Sequence, residues 1–494
     1  MKTLVAGGWW LVVMMLGLAA GGRQPAVAQQ AQSLTLDEAI RLAQQRGHQA
    51  RAARASHTAA VSRNQAFNSR LLPQLSMSGT LPQYNRSIVP VGQPDGTSIF
   101  LPQEQTNGSL TMRLSQKLPV TGGDLQFSSS LNSLVLNGQQ NSRSWNSTPF
   151  SVSLRQDIFR PNTAGWDRRE QRIRIDRDER AYVEAVEDIA IATTDLFFNA
   201  YVAQVGLQNA ISNIAVNDTL YRINTGRYEV GRIGENDLLQ SELALLRSQA
   251  AVDQARLDAD RTMSALRLAM NVPPSMALTL TVSAALPEYL ADSAIAVLQA
   301  QRNRAAVSDA ALQDVQAQRR ITEARYSAGI GATVLASYGY NATAPKASLA
   351  YENLQEARQF SLTVQMPLWQ WGAHGEDMRA ARSDRERVTA LSQVTLENLA
   401  QEARYAALGL NLARRNVALL IKADSVAGRR FEVAYNRYVI GRITIDNLYI
   451  AQNEKDAALT QMLEGQRRYW LAHYRLRRAT LYDFAESRLI RAQP

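Results

Sequence analysis

The chain has no cysteine among its 494 residues. That excludes disulfides, thiolate metal sites, cysteine nucleophiles and acylation of an N-terminal cysteine together, so stability has to come from buried area. Histidine is almost as scarce. His48, His57, His374 and His473 never stand at i, i+3 or i+4 from one another, so neither a metal site nor a catalytic constellation is expected. The stretch "AGIGATVL" lacks the third glycine and the lysine of a phosphate-binding loop, so no nucleotide cofactor is expected and energy must come from a partner.

Lysine is also rare: Lys2, Lys117, Lys346, Lys422 and Lys455 are five of the 54 basic residues. An arginine excess suits bidentate pairing with carboxylates between packed helices. The formal charge of +10 invites a nucleic-acid reading, but arginines alternate with Glu and Asp and form no dense basic stripe, so nucleic acid is not an expected partner.

Long apolar runs are missing too, except at the start. Met1-Lys2, an apolar stretch from Trp9 to Ala20, and Ala26-Val27-Ala28 before Gln29 have the layout of an export signal over residues 1–28. The best later candidate, "DIAIATTDLFFNAYVAQVGL", carries Asp188 and Asp195 and reads as amphipathic. A membrane role would therefore have to use strands.

What is present is repetition. "RYEVGRI" at Arg227 answers "RYVIGRI" at Arg437, "FSVSLRQDIFRPN" at Phe150 answers "FSLTVQMPLWQWG" at Phe360, and "LRLAM" at Leu266 answers "LRRAT" at Leu476, each 210 residues apart. The spacing indicates an internal duplication. The openings correspond at 255, with Ile40 matching Ile295, which leaves about 45 extra residues in the first half. They fall within 74–148, where "SLTMRLSQKL" and "LQFSSSLNSLVL" alternate around "PVTGG", as an added hairpin or as elaborate loops.

Each copy reads as strand, very long helix, turn and shorter helix. Phe150, Val152 and Leu154, like Phe360, Leu362, Val364 and Met366, recur at the period of a half-exposed strand. Residues 166–228 and 376–438 hold no proline, and a helix of that length would run roughly 95 Å at 1.5 Å per residue. Leu412, Leu419, Val426, Val433 and Ile440 fall at steps of seven, as do Val202, Asn209, Val216, Ile223 and Val230, which predicts a coiled-coil seam with a neighbouring helix.

"LTLDEAIRLA" after the leader, "LLPQLSMSG" entering the first strand, "MPLWQWG" leaving the last, and the doubled R-Y-x-x-G-R-I followed by Asp237-Leu238 and Asn447-Leu448 resemble the TolC-like outer membrane efflux proteins. The resemblance covers nearly all of the chain after the leader. It implies a mainly α fold with membrane β: a homotrimer sharing one transmembrane β-barrel in outer membrane lipid and one long coiled-coil α-helical barrel across the periplasm. Partners would be a periplasmic adaptor and an inner-membrane transporter. On this basis residues 29–285 form the first repeat, with strands within 74–158 and a helical hairpin at 166–270. Residues 286–494 form the second, with strands within 332–368 and a hairpin at 376–484. The family usually has two strands per half; two or four fit the first half here. Its glycine pair after a strand is absent from "PLWQWG" and "DIFRPN".

Two sets of site residues follow. Phe159, Trp369 and Trp371 stand at strand ends, as a membrane-interface girdle or as packing between barrel and helices. Gly231 and Gly441 end the two longest helices and suit left-handed caps that reverse the chain. By resemblance these turns form the periplasmic tip that meets the adaptor, with Arg227, Arg232, Ile233, Arg437, Arg442 and Ile443 around them. Glu235, Asp237, Arg442 and Asp446 are gating candidates, either latching the tip through Arg–carboxylate pairs or merely solvated. Asn447 and Ile450 stand where the family often has carboxylates, so no ring of aspartates is expected. A periplasmic adaptor or a coiled-coil scaffold without a pore is the competing expectation. It predicts a single hairpin within β-rich modules, not two copies in register.

Overall fold

The computed structural model describes residues 32–137, 141–282, 287 and 289–491; the leader and the boundary at 285 lie outside the described residues. The chain opens with β1 (Gln32–Leu34), α1 (Leu36–Arg46) and α2 (His48–Ser69). Thr35 caps α1 in a reciprocal box with Glu38, the device that satisfies two orphan donors at a helix start. Four strands follow: β2 (Gln74–Gly92), β3 (Ser98–Leu118), β4 (Gly123–Asn137) and β5 (Ser142–Ile158). Then come α3 (Thr163–Glu229), α4 (Glu235–Met270) and β6 (Leu278–Leu280), which pairs in parallel with β1. The second half holds α5 (Ser293–Asn303), α6 (Ala305–Ser327), β7 (Gly331–Ala344), β8 (Gln355–Gln365), α7 (Ala373–Val439) and α8 (Ile445–Thr480). It closes on the two-residue strands β9 (Tyr482–Asp483) and β10 (Arg488–Leu489).

The helices α3 and α7 each have 67 residues and start 210 apart; α4 and α8 each have 36 and start 210 apart. The openings differ from the expectation. α1 and α5 start 257 apart, as do α2 and α6. The surplus in the first half is therefore 47 residues, and Ile40 does not answer Ile295. Burial gives the reason: Ala39 and Ala43 are buried on α1, Ala296 and Ala300 are buried on α5, and Ile295 faces outward. Three more boundaries shift, since the long helices begin at 163 and 373, and the last helix ends at Thr480 ahead of the β9–β10 hairpin.

The surplus residues are strands, four in the first half against two in the second, in one antiparallel sheet of order β2-β3-β4-β5-β7-β8. The sheet is open: among the described residues β2 and β8 each lack a partner on one side, and they form no closed barrel within one chain. Pro82 and Pro149 sit in the register shifts of β2 and β5, where a missing N–H removes no ladder bond.

The helices hang from one end of the sheet. Near it α2, α3, α6 and α7 lie side by side; farther away the order is α4, α3, α8, α7. At mid-length Phe197, Phe198, Leu266 and Met270 pack with α1, and Leu410, Val417, Tyr469 and Leu476 pack with α5. Arginines tie these layers. Arg304, its side chain 6% exposed, donates to Glu184 at 2.8 Å, Glu402 at 3.2 Å and the Ala479 carbonyl. Arg477 pairs with Glu187 and Asp483, and Arg478 with Asp188.

The heptad stripe does not sit where a seam within one chain would put it. Val388, Leu399, Ala403, Leu410 and Val417 form the inner face of α7, whereas Leu412, Leu419, Val426, Val433 and Ile440 are all exposed. Leu391 and Tyr405 extend the same exposed row at multiples of seven. On the other lateral edge, α4 exposes Leu239, Leu243, Leu246 and Leu257. The seam is thus unpartnered in one chain.

Candidate functional site

Three features carry chemistry: the two faces of the sheet, the lateral edges just described, and the two helical turns at the far end.

Side chains alternate across a strand, so the register assigns every residue to a face. One face collects Leu75, Met77, Leu110, Met112, Leu114, Leu125, Phe127, Leu131, Val152, Leu154, Val334, Phe360, Leu362 and Val364. The other collects Ser76, Ser78, Thr111, Ser115, Gln126, Ser128, Ser130, Ser151, Ser153, Ser337, Ser361 and Thr363. One row of partners runs Leu75, Leu114, Phe127, Val152, Tyr338, Arg358. It enters at the second residue of β2, near the helical end, and leaves at the fourth of β8, near the opposite end, so the strands are tilted as in a barrel wall.

Phe159, Trp369 and Trp371 all lie between strand ends and long helices and are exposed, with the two indoles edge to face at 5.3 Å. Phe159 and Trp371 have φ of +59° and +52°. A second aromatic level went unread in the sequence. Tyr338 and Tyr340 share a 2.9 Å hydroxyl contact on the apolar face, with Arg358 5.8 Å from the Tyr338 ring, and Trp145 lies on that face too. Its signal is the period-two spacing in "SYGYN", legible once a strand is assumed. Aromatics thus stand towards both ends of the sheet, Tyr338, Tyr340 and Trp145 on its apolar face and Phe159, Trp369 and Trp371 beyond the strand ends.

At the far end, Gly231 and Gly441 have φ of +73° and +74°, in the left-handed region. In both turns the glycine N–H bonds the carbonyl three residues back, Tyr228 or Tyr438, and the next N–H bonds that of Arg227 or Arg437. These bonds close off orphan carbonyls at a helix end. The space around both glycines is open, so the backbone angle alone demands glycine.

The side chains around the turns are not equivalent. Tyr438 is buried and donates to Asn224 Oδ1 at 2.5 Å, and burial raises its phenol pKa; Tyr228 is exposed. Arg227 donates to the carbonyls of Tyr438 and Val439, at 3.2 and 2.8 Å, while Arg437 is exposed. Leu220, Ile445 and Leu448 form the small core beneath, with Ile443 against it and Ile233 half-buried in the other turn.

Of the two readings of these charges, latch or solvated surface, one chain forms no Arg–carboxylate pair between the turns among the described residues. Among the described residues Arg232, Glu235, Asp237, Arg437 and Arg442 make no ion pair, and Asp446 instead accepts from Gln240 at 2.6 Å. The turns are joined by an arginine on backbone carbonyls, which needs no carboxylate. Glu235, Arg232, Arg442 and Asp446 face outward with their charges available.

Among the described residues no group of three His, Asp or Glu could hold a metal, and no helix is long and apolar enough to cross a membrane. His473 is buried against Tyr289 at 2.7 Å, and His57 stacks on Tyr182.

Comparison with known proteins gives the fold a context. No family model matches the chain, and no curated protein matches its sequence. Solved structures do match. The CmeC outer membrane channel of Campylobacter jejuni superposes with a TM-score of 0.65 at 15% identity, over 93% of this chain and 87% of that one. The outer membrane protein VceC of Vibrio cholerae gives 0.61 at 14%, over 91% and 96%. The open MtrE outer membrane channel of Neisseria gonorrhoeae gives 0.60 at 14%, over 93% and 91%. The fold is that of the TolC-like outer membrane channels.

Proposed function

We propose that this chain, which has the fold of the TolC-like channels, is itself an outer membrane channel-tunnel. Three copies close one barrel in the outer membrane and one helical tunnel across the periplasm. Substrates delivered by an inner-membrane pump and a periplasmic adaptor leave through it passively, without catalysis or cofactor.

The observation that carries this reading is the sheet: apolar on one face, polar on the other, and unpaired at both edges. An open edge in lipid would leave row upon row of N–H and C=O groups unsatisfied, each at a cost of several kcal/mol, so membrane strands must close into a ring. The lateral stripes on α7 and α4 agree, since apolar rows at heptad spacing want a helix from a neighbour. The contact is head-to-tail, α7 of one copy against α4 of the next, and such contacts close into a ring when the rotation between copies is a whole fraction of a turn, one third for a trimer.

We read the 210-residue recurrence as a duplication that gives each copy two helical hairpins and hence six turns to the trimer. The turns at Gly231 and Gly441 are the adaptor-facing tip. Arg232, Ile233, Arg442 and Ile443 are docking residues there, and Glu235, Asp237, Arg442 and Asp446 are charges able to reach the next copy. The scaffold alternative leaves the apolar face of the sheet without a role.

The test is fractionation followed by single-cysteine labelling of residues 360–364. Expected are a cross-linked trimer in the outer membrane, lipid-side reactivity at 360, 362 and 364, and aqueous reactivity at 361 and 363. Uniform aqueous labelling, or a soluble monomer, would overturn the reading.

A further inference from the structure

We infer that the outer membrane barrel of this protein has eighteen strands, six from each copy, instead of the twelve that two strands per half would give. The inference rests on the trimeric channel reading above and concerns the width of its exit.

The extra hairpin β2–β3 is part of the wall. β3 is laddered to β4 along the whole of β4, from Lys117–Asp124 and Leu118–Gly123 up to Glu104–Asn137. β2 is laddered to β3 from Gln74–Ser115 upward. Below the register shift at Pro82 the faces continue: Leu75, Met77, Leu110, Met112 and Leu114 extend the apolar side, and Ser76, Ser78, Thr111 and Ser115 extend the polar side. A hairpin lying outside the barrel would have no reason to keep that alternation in register with β4. It also leaves β2, not β4, as the free edge.

The direction of the edges fits closure. β2 runs away from the helices and β8 runs back towards them, so β2 of one copy and β8 of the next meet antiparallel, like every other neighbouring pair in the sheet. β4 has β3 on one side and β5 on the other and offers no edge.

The helices beneath give a second argument. Four of them, α2, α3, α6 and α7, lie side by side under the six strands. Packed helices stand about 8–10 Å apart and strands about 4.8 Å apart before tilt. Six strands therefore come closer than four to the arc of the helices they cap. β3 and β4 stand over no helix of their own and are joined by the turn at residues 119–122.

Barrel diameter grows roughly linearly with strand number, so eighteen strands give an opening about half again as wide as twelve, in the range where porins hold an aqueous channel. Its inner face is mostly Ser, Thr, Asn and Gln, with Arg113, Lys117, Asp124, Arg155 and Asp157 near the helical end. The exit then takes bulky or extended solutes of either charge, and the size limit falls to the helical tip.

The absence of cysteine makes the test direct. Double-cysteine variants pair β2 positions 76, 78 or 80 with β8 positions 359, 361 or 363, and β4 positions 128, 130 or 132 with the same β8 set. All face the polar side, where a disulfide between neighbouring strands can form. Each variant is oxidised in outer membranes and run on a denaturing gel. Expected are covalent trimers from the β2–β8 set along one antiparallel diagonal, and none from the β4–β8 set. β4–β8 trimers, or trimers with neither cross-link, would overturn the eighteen-strand ring while leaving the channel reading intact. Absence of any outer membrane trimer would overturn the channel reading and this inference with it.

Discussion

Arg227, at the end of α3, lies over the ring of Tyr438, at the end of α7, with its guanidinium 5.1 Å from the ring centroid. The same guanidinium donates to the Val439 carbonyl at 2.8 Å. In the repeat, Arg227 answers Arg437 and Tyr228 answers Tyr438, yet only this cross-pair is made. The two turns share a backbone and differ in what their side chains hold.

Arg227→Ala should loosen the tip, and Arg437→Ala should not. Hydrogen bonds from a charged donor contribute about 1.5–3 kcal/mol and a cation–π contact about 0.5–1 kcal/mol. Hydrogen exchange across residues 224–230 and 436–440 should quicken in the first variant and stay at the wild-type rate in the second. Equal effects would mean that the turns are equivalent after all.

Gly441→Val forces a β-branched side chain into a left-handed backbone, at a cost of about 1–2 kcal/mol or more. The trimer should assemble, since sheet and mid-length core are distant, while export in cells and cross-linking to the adaptor fall. Gly441→Asn should retain most of both, because Asn tolerates that region.

Arg304→Met leaves Glu184 and Glu402 facing a thioether. Removing one partner of a buried ion pair costs about 3–5 kcal/mol. The thermal midpoint of the detergent-solubilised protein should drop by several degrees. Arg304→Lys should restore only part of it, because one ammonium cannot span Glu184, Glu402 and the Ala479 carbonyl as the guanidinium fork does.

His473 has its pKa lowered to about 4 from 6.5, chiefly by burial and then by the nearby Arg477, with Asp483 opposing. The unfolded chain therefore takes up a proton that the folded chain refuses. Stability is whole above pH 6.5 and declines as pH falls towards 4, by about 2–3 kcal/mol at the lower end. His473→Asn keeps a hydrogen-bond partner for the Tyr289 hydroxyl and cannot titrate. Unfolding measured between pH 7 and 4.5 should be less pH-dependent in that variant; an unchanged slope would assign the acid sensitivity elsewhere.

Leu419→Asp and Val426→Asp change residues that are 69% and 56% exposed in one chain. Helix content should persist while the cross-linked trimer disappears. Val417→Asp, on the buried face of the same helix, should unfold the chain instead. If both classes keep the trimer, the stripe is only surface.

The sequence by itself determined whatever depends on local backbone chemistry and on repetition. Long helices without proline, period-two strands and glycines after Tyr-x-x were all legible, because each is dictated within a few residues. The 210-residue recurrence located the second long helix once the first was seen. The mismatch at Ile40 and Ile295 arose because two short amphipathic helices look alike in several registers, and only packing of Ala39 and Ala296 selects one. The tertiary structure decided the rest. A heptad row reads the same whether its partner lies in the same chain or in another; only the burial of Val417 beside exposed Leu419 separates the cases. Strand-like alternation in residues 74–118 could not reveal that β2 and β3 join the same sheet as β4, β5, β7 and β8, because pairing is made between distant segments. Arg227 and Arg437 stand in the same local motif, and which one reaches Tyr438 is set by how α3 and α7 lie against each other, a relationship no stretch of sequence contains.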